Sequence, residues 1–304
     1  MLSRLVKGIY RRIIFIYHRY ILFNLFILPY LRKKNFINEK FKIRYSFGGL
    51  ILQGKKNTIK IGIGKLQTIN KEHKLRLSAI KKWPNLDKIL VSHDYIEHKK
   101  FPILIMPTYS NISDYEIKKS ALALFNFLKQ LSETNTNNLN LIKTENISLG
   151  LNIIKKMYNL ENYLLLEKIA KQYMQHAINS YGFCHGDFHE RNIMIDSSGS
   201  LRLIDLDSIR LLGIRDFDAL HFVLEHFCLK NSVNWYEAVP NLIRNESLDE
   251  YQNYLDYFSI NGTKELYIAY FLDRIGYEKK YCDIDCPKNS IDALIKNTKN
   301  KLTL

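Results

Sequence analysis

The side chains best suited to chemistry lie in the segment HGDFHERNIMID, which begins at His185. Asp187 and Asn192 are five positions apart, so a tight loop can present a carboxylate and an amide oxygen from one side. Asp205 lies eighteen positions after Asp187, beyond two apolar β-type runs, NIMI and LRLI, that flank the turn sequence SSGS. Because a hairpin brings its ends together, we expect the three residues to converge. A carboxylate for an acceptor hydroxyl, with oxygen ligands for a metal that holds phosphates, is what phosphoryl transfer requires.

A second pair of candidate residues lies earlier in the chain. The run TIKI around Lys60 alternates as a strand does, so Lys60 would point away from the isoleucines on either side. Glu72 lies on a predicted helix after this strand and is the only acidic residue between Lys40 and Leu86. It is therefore the sole local partner that could hold Lys60 against nucleotide phosphates. The alternative is that Lys60 is an ordinary solvated strand residue.

Two further segments are typical of a nucleotide site, although each also has an ordinary structural interpretation. The sequence SFGGL places Gly48 and Gly49 at a turn, where glycine lets backbone N–H groups approach a phosphate closely. A simple hairpin turn would have the same sequence. FPILIMP is an apolar strand that ends at Pro107, and only the order of the elements places Met106 beside an adenine ring. A buried strand with a proline turn after it would look the same.

The surrounding pattern predicts an α+β protein. Short β-type runs with one helix fill the chain from Phe41 to Met106, and apolar residues recur at helical spacing in most of the chain after Met106. We therefore expect a basic N-terminal segment over 1–38, a small β-rich N-lobe over 39–107, and a larger, mainly helical C-lobe over 108–304 that carries both loops. Asp216 and Asp218, which precede an apolar helix, are interpreted as N-terminal capping residues.

These motifs resemble the aminoglycoside phosphotransferase and choline kinase-like superfamily, small-molecule relatives of protein kinases whose loop reads HGDxxxxN and whose metal loop begins Ile-Asp. The resemblance covers roughly residues 41–280. It implies a two-lobed protein kinase-like fold, with ATP and Mg²⁺ as cofactors. Asp187 would be the catalytic base or orienting carboxylate, Asn192 and Asp205 would hold Mg²⁺, and Lys60 would contact the ATP phosphates with Glu72 beside it.

Two departures from the protein kinase pattern favour the small-molecule branch. Gly186 stands where protein kinases have Arg, and Leu206-Asp207 stands where they have Phe-Gly. The resemblance also gives His185 a structural place in the loop, and it gives an Asp in the 216–218 region a structural role.

The formal charge of +15 is concentrated at the N-terminus, because residues 1–38 hold eight Lys or Arg and no acid. Apolar residues recur there at intervals of three and four, which predicts an amphipathic helix; they are Leu2, Leu5, Ile9, Ile13, Ile16, Tyr20, Phe23 and Ile27. Such a basic helix suits an anionic membrane surface, here through residues 1–34. The alternatives are packing on the protein's own core, or a spanning or cleaved segment. Spanning is disfavoured, since the uncharged run is twelve residues against about 20 needed.

The sequence thus predicts a kinase that transfers the ATP γ-phosphate to a hydroxyl of a small molecule or a cell-envelope, lipopolysaccharide-type glycan. The high positive charge disfavours cationic aminoglycosides as acceptors. Four cysteines without CxxC spacing indicate neither a disulfide framework nor a zinc site, which fits the cytoplasm or the inner face of the cytoplasmic membrane. The alternatives are a catalytically silent kinase-like protein that binds nucleotide or membrane, and a nucleic-acid-binding protein, for which charge is the sole argument.

Overall fold

The computed structural model describes residues 23–37, 40–46, 49–62, 68–99, 101–131, 145–244 and 249–300. Contacts group the chain into two compact units. The first unit comprises Met1–Ile112 and Met194–Asp207, and the second comprises Ser113–Ile193 and Ser208–Leu304. The grouping differs from the predicted boundary because the segment that carries Asp205 clusters with the β-rich unit.

The first unit is built on a five-stranded antiparallel sheet with the order β1-β2-β3-β5-β4. Its strands are β1 (Lys42–Ser46), β2 (Gly49–Gln53), β3 (Asn57–Gly62), β4 (Asp94–His98) and β5 (Phe101–Pro107). The short helix α1 (Leu28–Lys33) precedes the sheet, and helix α2 (Thr68–Lys82) lies between β3 and β4 in the chain. Alternation along β3 buries Ile59 and Ile61 in the core, as the sequence predicts.

The last part of the N-terminal segment packs against this sheet. Phe23, Ile27 and Leu31 are buried in one apolar cluster with residues of β2, β3 and β5. Phe23 and Ile27 are the last two members of the predicted amphipathic stripe, so over these residues the chain packs on its own core. The earlier members of the stripe lie outside the described residues. Within the described part of the chain, no helix has both the length and the apolar character needed to cross a membrane.

The predicted hairpin before Asp205 is also present in the first unit. Strands β6 (Ser110–Asn111), β8 (Ile193–Ile195) and β9 (Leu201–Leu203) form a small sheet with the order β6-β8-β9. The turn between β8 and β9 is closed by backbone hydrogen bonds between Asp196 and Ser200, and between Gly199 and Asp196. A parallel bridge from Leu90 to Leu203 ties β9 to the chain segment before β4.

The second unit is mainly helical, which confirms the predicted α+β class. Strand β7 (Tyr181–Cys184) pairs antiparallel with β10 (Arg210–Ile214). The helices are α3 (Asp114–Lys129), α4 (Glu145–Met157), α5 (Leu160–His176), α6 (Asp216–Asn231), α7 (Trp235–Arg244), α8 (Asp249–Tyr257), α9 (Lys264–Tyr277) and α10 (Lys288–Asn300). Gly150 of α4 lies against the Leu272 carbonyl and Gly276 of α9 lies against the Asn146 carbonyl, so side chains there would separate the two helices.

Candidate active site

In the first unit, one ammonium group contacts two carboxylates. Lys60 Nζ lies 3.1 and 3.0 Å from the two carboxylate oxygens of Glu72 and 2.9 Å from Asp205 Oδ1. The side chains of Lys60 and Glu72 are 13% and 3% exposed, whereas that of Asp205 is 49% exposed. The ion pair expected from the scarcity of local acids is therefore present, and Asp205 joins it.

Local sequence explains how these groups meet. Glu72 lies on the buried face of α2, with Ile69, Arg76 and Ala79 at helical spacing. Its carboxylate also accepts a hydrogen bond of 3.3 Å from the Leu206 backbone N–H, which ties the residue after Asp205 to α2. Asp205 adopts a left-handed backbone conformation, φ +62°, which is uncommon outside glycine and is found at functional turns.

The electrostatics of this group favour a charged lysine. Burial on its own would lower the pKa of Lys60, but the charges of Glu72 and Asp205 outweigh it and raise the pKa above its ordinary value. A fixed cation on a strand, with a half-exposed carboxylate beside it, is suited to binding an anionic ligand such as a phosphate chain.

In the second unit, the carboxylate of Asp187 has partners on both of its oxygens. Oδ1 lies 3.1 Å from His221 Nε2 and 3.3 Å from Arg274 Nη2. Oδ2 lies 3.2 Å from Asn192 Nδ2 and 3.3 Å from His189 Nε2. Burial alone would raise the pKa of Asp187, but hydrogen bonds from His189 and His221 and the charge of Arg274 lower it. Asp187 is thus an ionised acceptor, better suited to orienting a hydroxyl than to holding its proton.

Asn192 is oriented by the same loop. Its amide nitrogen donates to the Asp187 carbonyl at 2.9 Å as well as to the Asp187 carboxylate, and the residue is only 4% exposed. Both acceptors engage the nitrogen, so the amide oxygen is the atom that Asn192 can offer to a cation. His189 accepts from the Arg191 backbone N–H through Nδ1 at 3.2 Å, which leaves its Nε2 to donate to Asp187.

The capping interpretation of Asp216 and Asp218 is wrong. The N-cap of α6 is Arg215, which makes no side-chain cap hydrogen bond. Asp216 instead accepts from Tyr173 and Ser180 hydroxyls. Both residues lie in the first turn of α6, where their charge favours the helix dipole, but their oxygens have partners elsewhere.

Asp218 stabilises the loop that begins at His185 directly. Its two carboxylate oxygens accept from the backbone N–H groups of His185 at 2.6 Å and Gly186 at 2.8 Å. Asp218 is 2% exposed, and burial raises its pKa. The structural role that the family resemblance gives to an Asp here is thus the one observed.

Two of the remaining predicted nucleotide contacts, Gly49 and Met106, lie in the sheet of the first unit. Gly48 lies outside the described residues. Gly49 begins β2 and pairs with Ser46 and Gly62, and Met106 is buried in β5 opposite Thr58. Their roles toward a nucleotide stay predictions.

The oxygen donors of the two loops fit the needs of Mg²⁺. Across the described ranges there is no cluster of three or more His, Cys, Asp or Glu side chains that could hold a metal ion by itself. Asn192 and Asp205 nevertheless offer an amide oxygen and a carboxylate, the hard oxygen donors that Mg²⁺ prefers. Mg²⁺ commonly takes only one or two protein ligands and completes its shell with water and substrate phosphates. Each of the two residues by itself therefore offers an oxygen donor of the kind that Mg²⁺ binds.

Three residues of this site belong to none of the sequence motifs: His221, Tyr270 and Arg274. All three lie within apolar helices, α6 and α9, where the sequence pattern indicates core. A polar side chain inside such a helix must find partners, and this was the available signal. Helical periodicity does not encode that these partners include Asp187.

Comparisons with known proteins identify the fold. No protein-family model matches the chain. No curated protein matches it either. Among solved structures, choline kinase LicA from Streptococcus pneumoniae aligns with a TM-score of 0.52 and 12% identity, over 91% of this chain and 98% of that chain.

Two aminoglycoside phosphotransferases align similarly. ADP-bound APH(2'')-Ib has a TM-score of 0.53 and 14% identity, over 89% of this chain and 96% of that chain. A thermostable mutant of APH(4)-Ia, in a ternary complex with ADP and hygromycin B, has a TM-score of 0.54 and 7% identity, over 91% of this chain and 98% of that chain. These likenesses confirm the predicted kinase-like fold.

Proposed function

We propose that the protein is an ATP-dependent phosphotransferase that transfers the γ-phosphate to a hydroxyl group. The observation that carries the proposal is the buried ammonium of Lys60, fixed between Glu72 and Asp205 on the fold of choline and aminoglycoside kinases. A role in nucleotide binding explains why a lysine is buried between two carboxylates in a kinase-like fold. The ADP in two of the similar structures supports a nucleotide as the ligand.

In this proposal each described group has one task. Lys60 contacts the nucleotide phosphates, and Glu72 keeps its ammonium in place. Asp187, an ionised acceptor, orients the acceptor hydroxyl and takes a hydrogen bond from it. Asn192 and Asp205 are the proposed protein ligands of Mg²⁺. When bound, the metal would neutralise charge on the phosphate oxygens during transfer.

For the acceptor, we propose a small molecule or a cell-envelope glycan. The similar structures include kinases named for choline and aminoglycosides, which supports a small-molecule hydroxyl in general. The formal charge of +15 favours an anionic acceptor over a cationic one, which is the argument for a lipopolysaccharide-type glycan.

We further propose that the protein acts at the inner face of the cytoplasmic membrane. Leu25 and Phe26 are 64% and 41% exposed in the segment whose Phe23 and Ile27 are buried. Lys99 Nζ lies 4.7 Å from the centroid of the Phe26 ring, and Arg32 and Lys33 lie nearby in the chain, in α1. Exposed apolar side chains beside basic ones suit an anionic lipid surface.

The test is magnesium-dependent release of ADP from ATP, with and without an envelope-glycan extract. We expect Asp187→Ala and Asp205→Ala each to lose activity by about 100- to 10,000-fold, the range for removing a catalytic carboxylate. Asp114→Ala, at an exposed position in the first turn of α3, is the matched control and should keep full activity. Nucleotide binding without turnover for any acceptor would favour the catalytically silent alternative.

A further inference from the structure

The carboxylate of Asp187 has a partner that the proposed chemistry does not yet use. His221, on α6, lies with Nε2 3.1 Å from Asp187 Oδ1 and with Nδ1 2.7 Å from the Tyr270 hydroxyl of α9. His221 and Tyr270 are only 2% and 3% exposed. Neither can therefore exchange these partners for bulk water, and the three side chains form a continuous chain of hydrogen bonds.

The donors and acceptors along this chain can be assigned. A carboxylate at neutral pH only accepts hydrogen bonds, so His221 Nε2 must carry a proton. Burial, reinforced by the charge of Arg274, lowers the pKa of His221 despite the opposing charges of Asp187 and Glu225. The imidazole is therefore neutral, its Nδ1 is an acceptor, and the Tyr270 hydroxyl must donate. Burial also raises the pKa of Tyr270, which keeps that donor protonated.

We propose that Tyr270 and His221 are positioning residues that fix the orientation of the Asp187 carboxylate for phosphoryl transfer. The inference rests on the proposed function. The Asp187 carboxylate requires the Nε2–H tautomer of His221, and the Tyr270 hydroxyl, which donates to Nδ1, holds the imidazole so that Nε2–H points at Oδ1. In the opposite tautomer, a nitrogen lone pair would face the carboxylate and repel it.

Arg274 is a further partner of the Asp187 carboxylate, beside the relay that Tyr270 and His221 form. Its guanidinium lies 3.3 Å from the same Oδ1 and 3.2 Å from the Gly186 carbonyl, and its Nε lies 3.5 Å from Glu278. Trp235 donates to Glu278 at 2.9 Å and so holds that partner in turn. Arg274 therefore supplies charge near Asp187, and the neutral His221 supplies direction. Losing the relay should misorient the carboxylate without neutralising it.

Two readouts on the full chain separate positioning from a purely structural role. The first is ¹⁵N NMR of the histidine side chains at pH 7, with His221 assigned by its loss in His221→Gln. We expect a neutral imidazole with its proton on Nε2, and a changed Nδ1 resonance in Tyr270→Phe, because that nitrogen then loses the hydrogen bond from the Tyr270 hydroxyl. This measurement needs no acceptor and no turnover.

The second readout is kinetic. Tyr270→Phe and His221→Leu should lower kcat for ADP release by about ten- to hundredfold, as expected for a misplaced catalytic group, with KM for ATP unchanged. His221→Gln should recover part of that loss, because its amide can donate to Asp187 and accept from Tyr270. Tyr267→Phe is the matched control, because Tyr267 lies in α9 as Tyr270 does. It removes a buried hydroxyl that lies against Gly262 and should keep full activity.

The outcomes distinguish the two levels of the proposal. An imidazolium or an Nδ1–H tautomer for His221 at pH 7 would overturn the relay. So would full kcat in folded Tyr270→Phe and His221→Leu while Asp187→Ala is inactive, and in that case the phosphotransferase proposal would stand. ADP release that persists unchanged in Asp187→Ala would instead overturn the phosphotransferase mechanism itself.

Discussion

At the scale of single residues, the members of one ion-pair group do not contribute equally to stability. They are Lys60, Glu72 and Asp205. Glu72 is nearly inaccessible, whereas Asp205 is half exposed and can be solvated without Lys60. Removing Lys60 thus leaves the buried carboxylate of Glu72 without its cationic partner. Removing Glu72 leaves Lys60 with Asp205 at 2.9 Å. The cost of breaking an ion pair depends on which partner is left buried.

We therefore expect Lys60→Met to lower the free energy of unfolding by about 3–5 kcal/mol, the range for stranding a buried charge. Glu72→Leu should cost clearly less, and the double variant should be more stable than Lys60→Met alone. Urea denaturation of the four proteins, treated as a double-mutant cycle, measures the coupling. Equal costs for the two single variants would mean that Asp205 alone does not compensate the charge of Lys60 when Glu72 is removed.

At the scale of elements, the loop that carries Asp187 contains Gly186, whose surroundings differ from those of Gly199. Gly186 has φ +79° and its α-carbon faces the Ser208 carbonyl closely, whereas Gly199 has φ +82° with open space around it. Both positions carry the same backbone strain for an L-residue, about 1–2 kcal/mol, and only Gly186 adds a collision with fixed backbone.

Comparing alanine at the two positions isolates that collision. Gly199→Ala should lose about 1–2 kcal/mol of stability and keep ADP release. Gly186→Ala should lose more stability, and it should also lose activity, because the loop that carries Asp187 has to move. Thermal unfolding together with the ADP assay tests both. Similar losses at the two sites would show that the loop can shift away from Ser208 without harm.

The packing of α2 against the segment before β4 contains a pH-sensitive pair. His73 Nδ1 and His93 Nε2 are 3.0 Å apart, and His93 Nδ1 is buried without a partner among the described residues. Burial, with the charges of Arg76, His73 and Lys60, lowers the pKa of His93 to about 3. The unfolded chain has a histidine pKa of about 6.5. Below pH 6.5 the unfolded state therefore binds a proton that the folded state does not.

Stability from His93 is fully present above about pH 6.5 and is lost as the pH falls from there toward 3. We expect the urea midpoint of the wild-type protein to decrease between pH 6.5 and 5, the part of this window above most carboxylate titrations. His93→Asn should flatten this decrease. His176→Asn, which removes an exposed imidazole from α5, should not. A wild-type and His93→Asn profile of equal slope would contradict the assignment.

At the scale of the whole molecule, the sequence predicted the local structure and the motifs better than it predicted the packing. Strand alternation around Lys60 and the scarcity of acids predicted the Lys60–Glu72 pair, because both are local properties. The roles of Asp218 and His221 depend on contacts across more than 30 positions, which helical periodicity does not encode. For the same reason it did not reveal that Phe23 and Ile27 pack against the sheet.

That packing narrows the membrane proposal to the side chains it leaves exposed. With Phe23 and Ile27 buried in the protein, the large hydrophobic side chains that stay exposed among the described residues of this segment are Leu25 and Phe26, beside the basic charges of α1 and Lys99. Burying one such side chain fully is worth about 1.5–3 kcal/mol, so partial insertion of both should change lipid affinity by about tenfold.

We expect the Leu25→Ser/Phe26→Ser variant to bind phosphatidylglycerol-containing vesicles about tenfold more weakly than the wild-type protein in co-sedimentation. Added salt should weaken wild-type binding, because the attraction is partly electrostatic. Leu160→Ser/Leu164→Ser is the matched control, since these leucines are also exposed, at 64% and 48%, but lie in α5. Equal binding of the two double variants would mean that any lipid affinity comes from elsewhere in the chain, and the surface around Phe26 would no longer be a candidate.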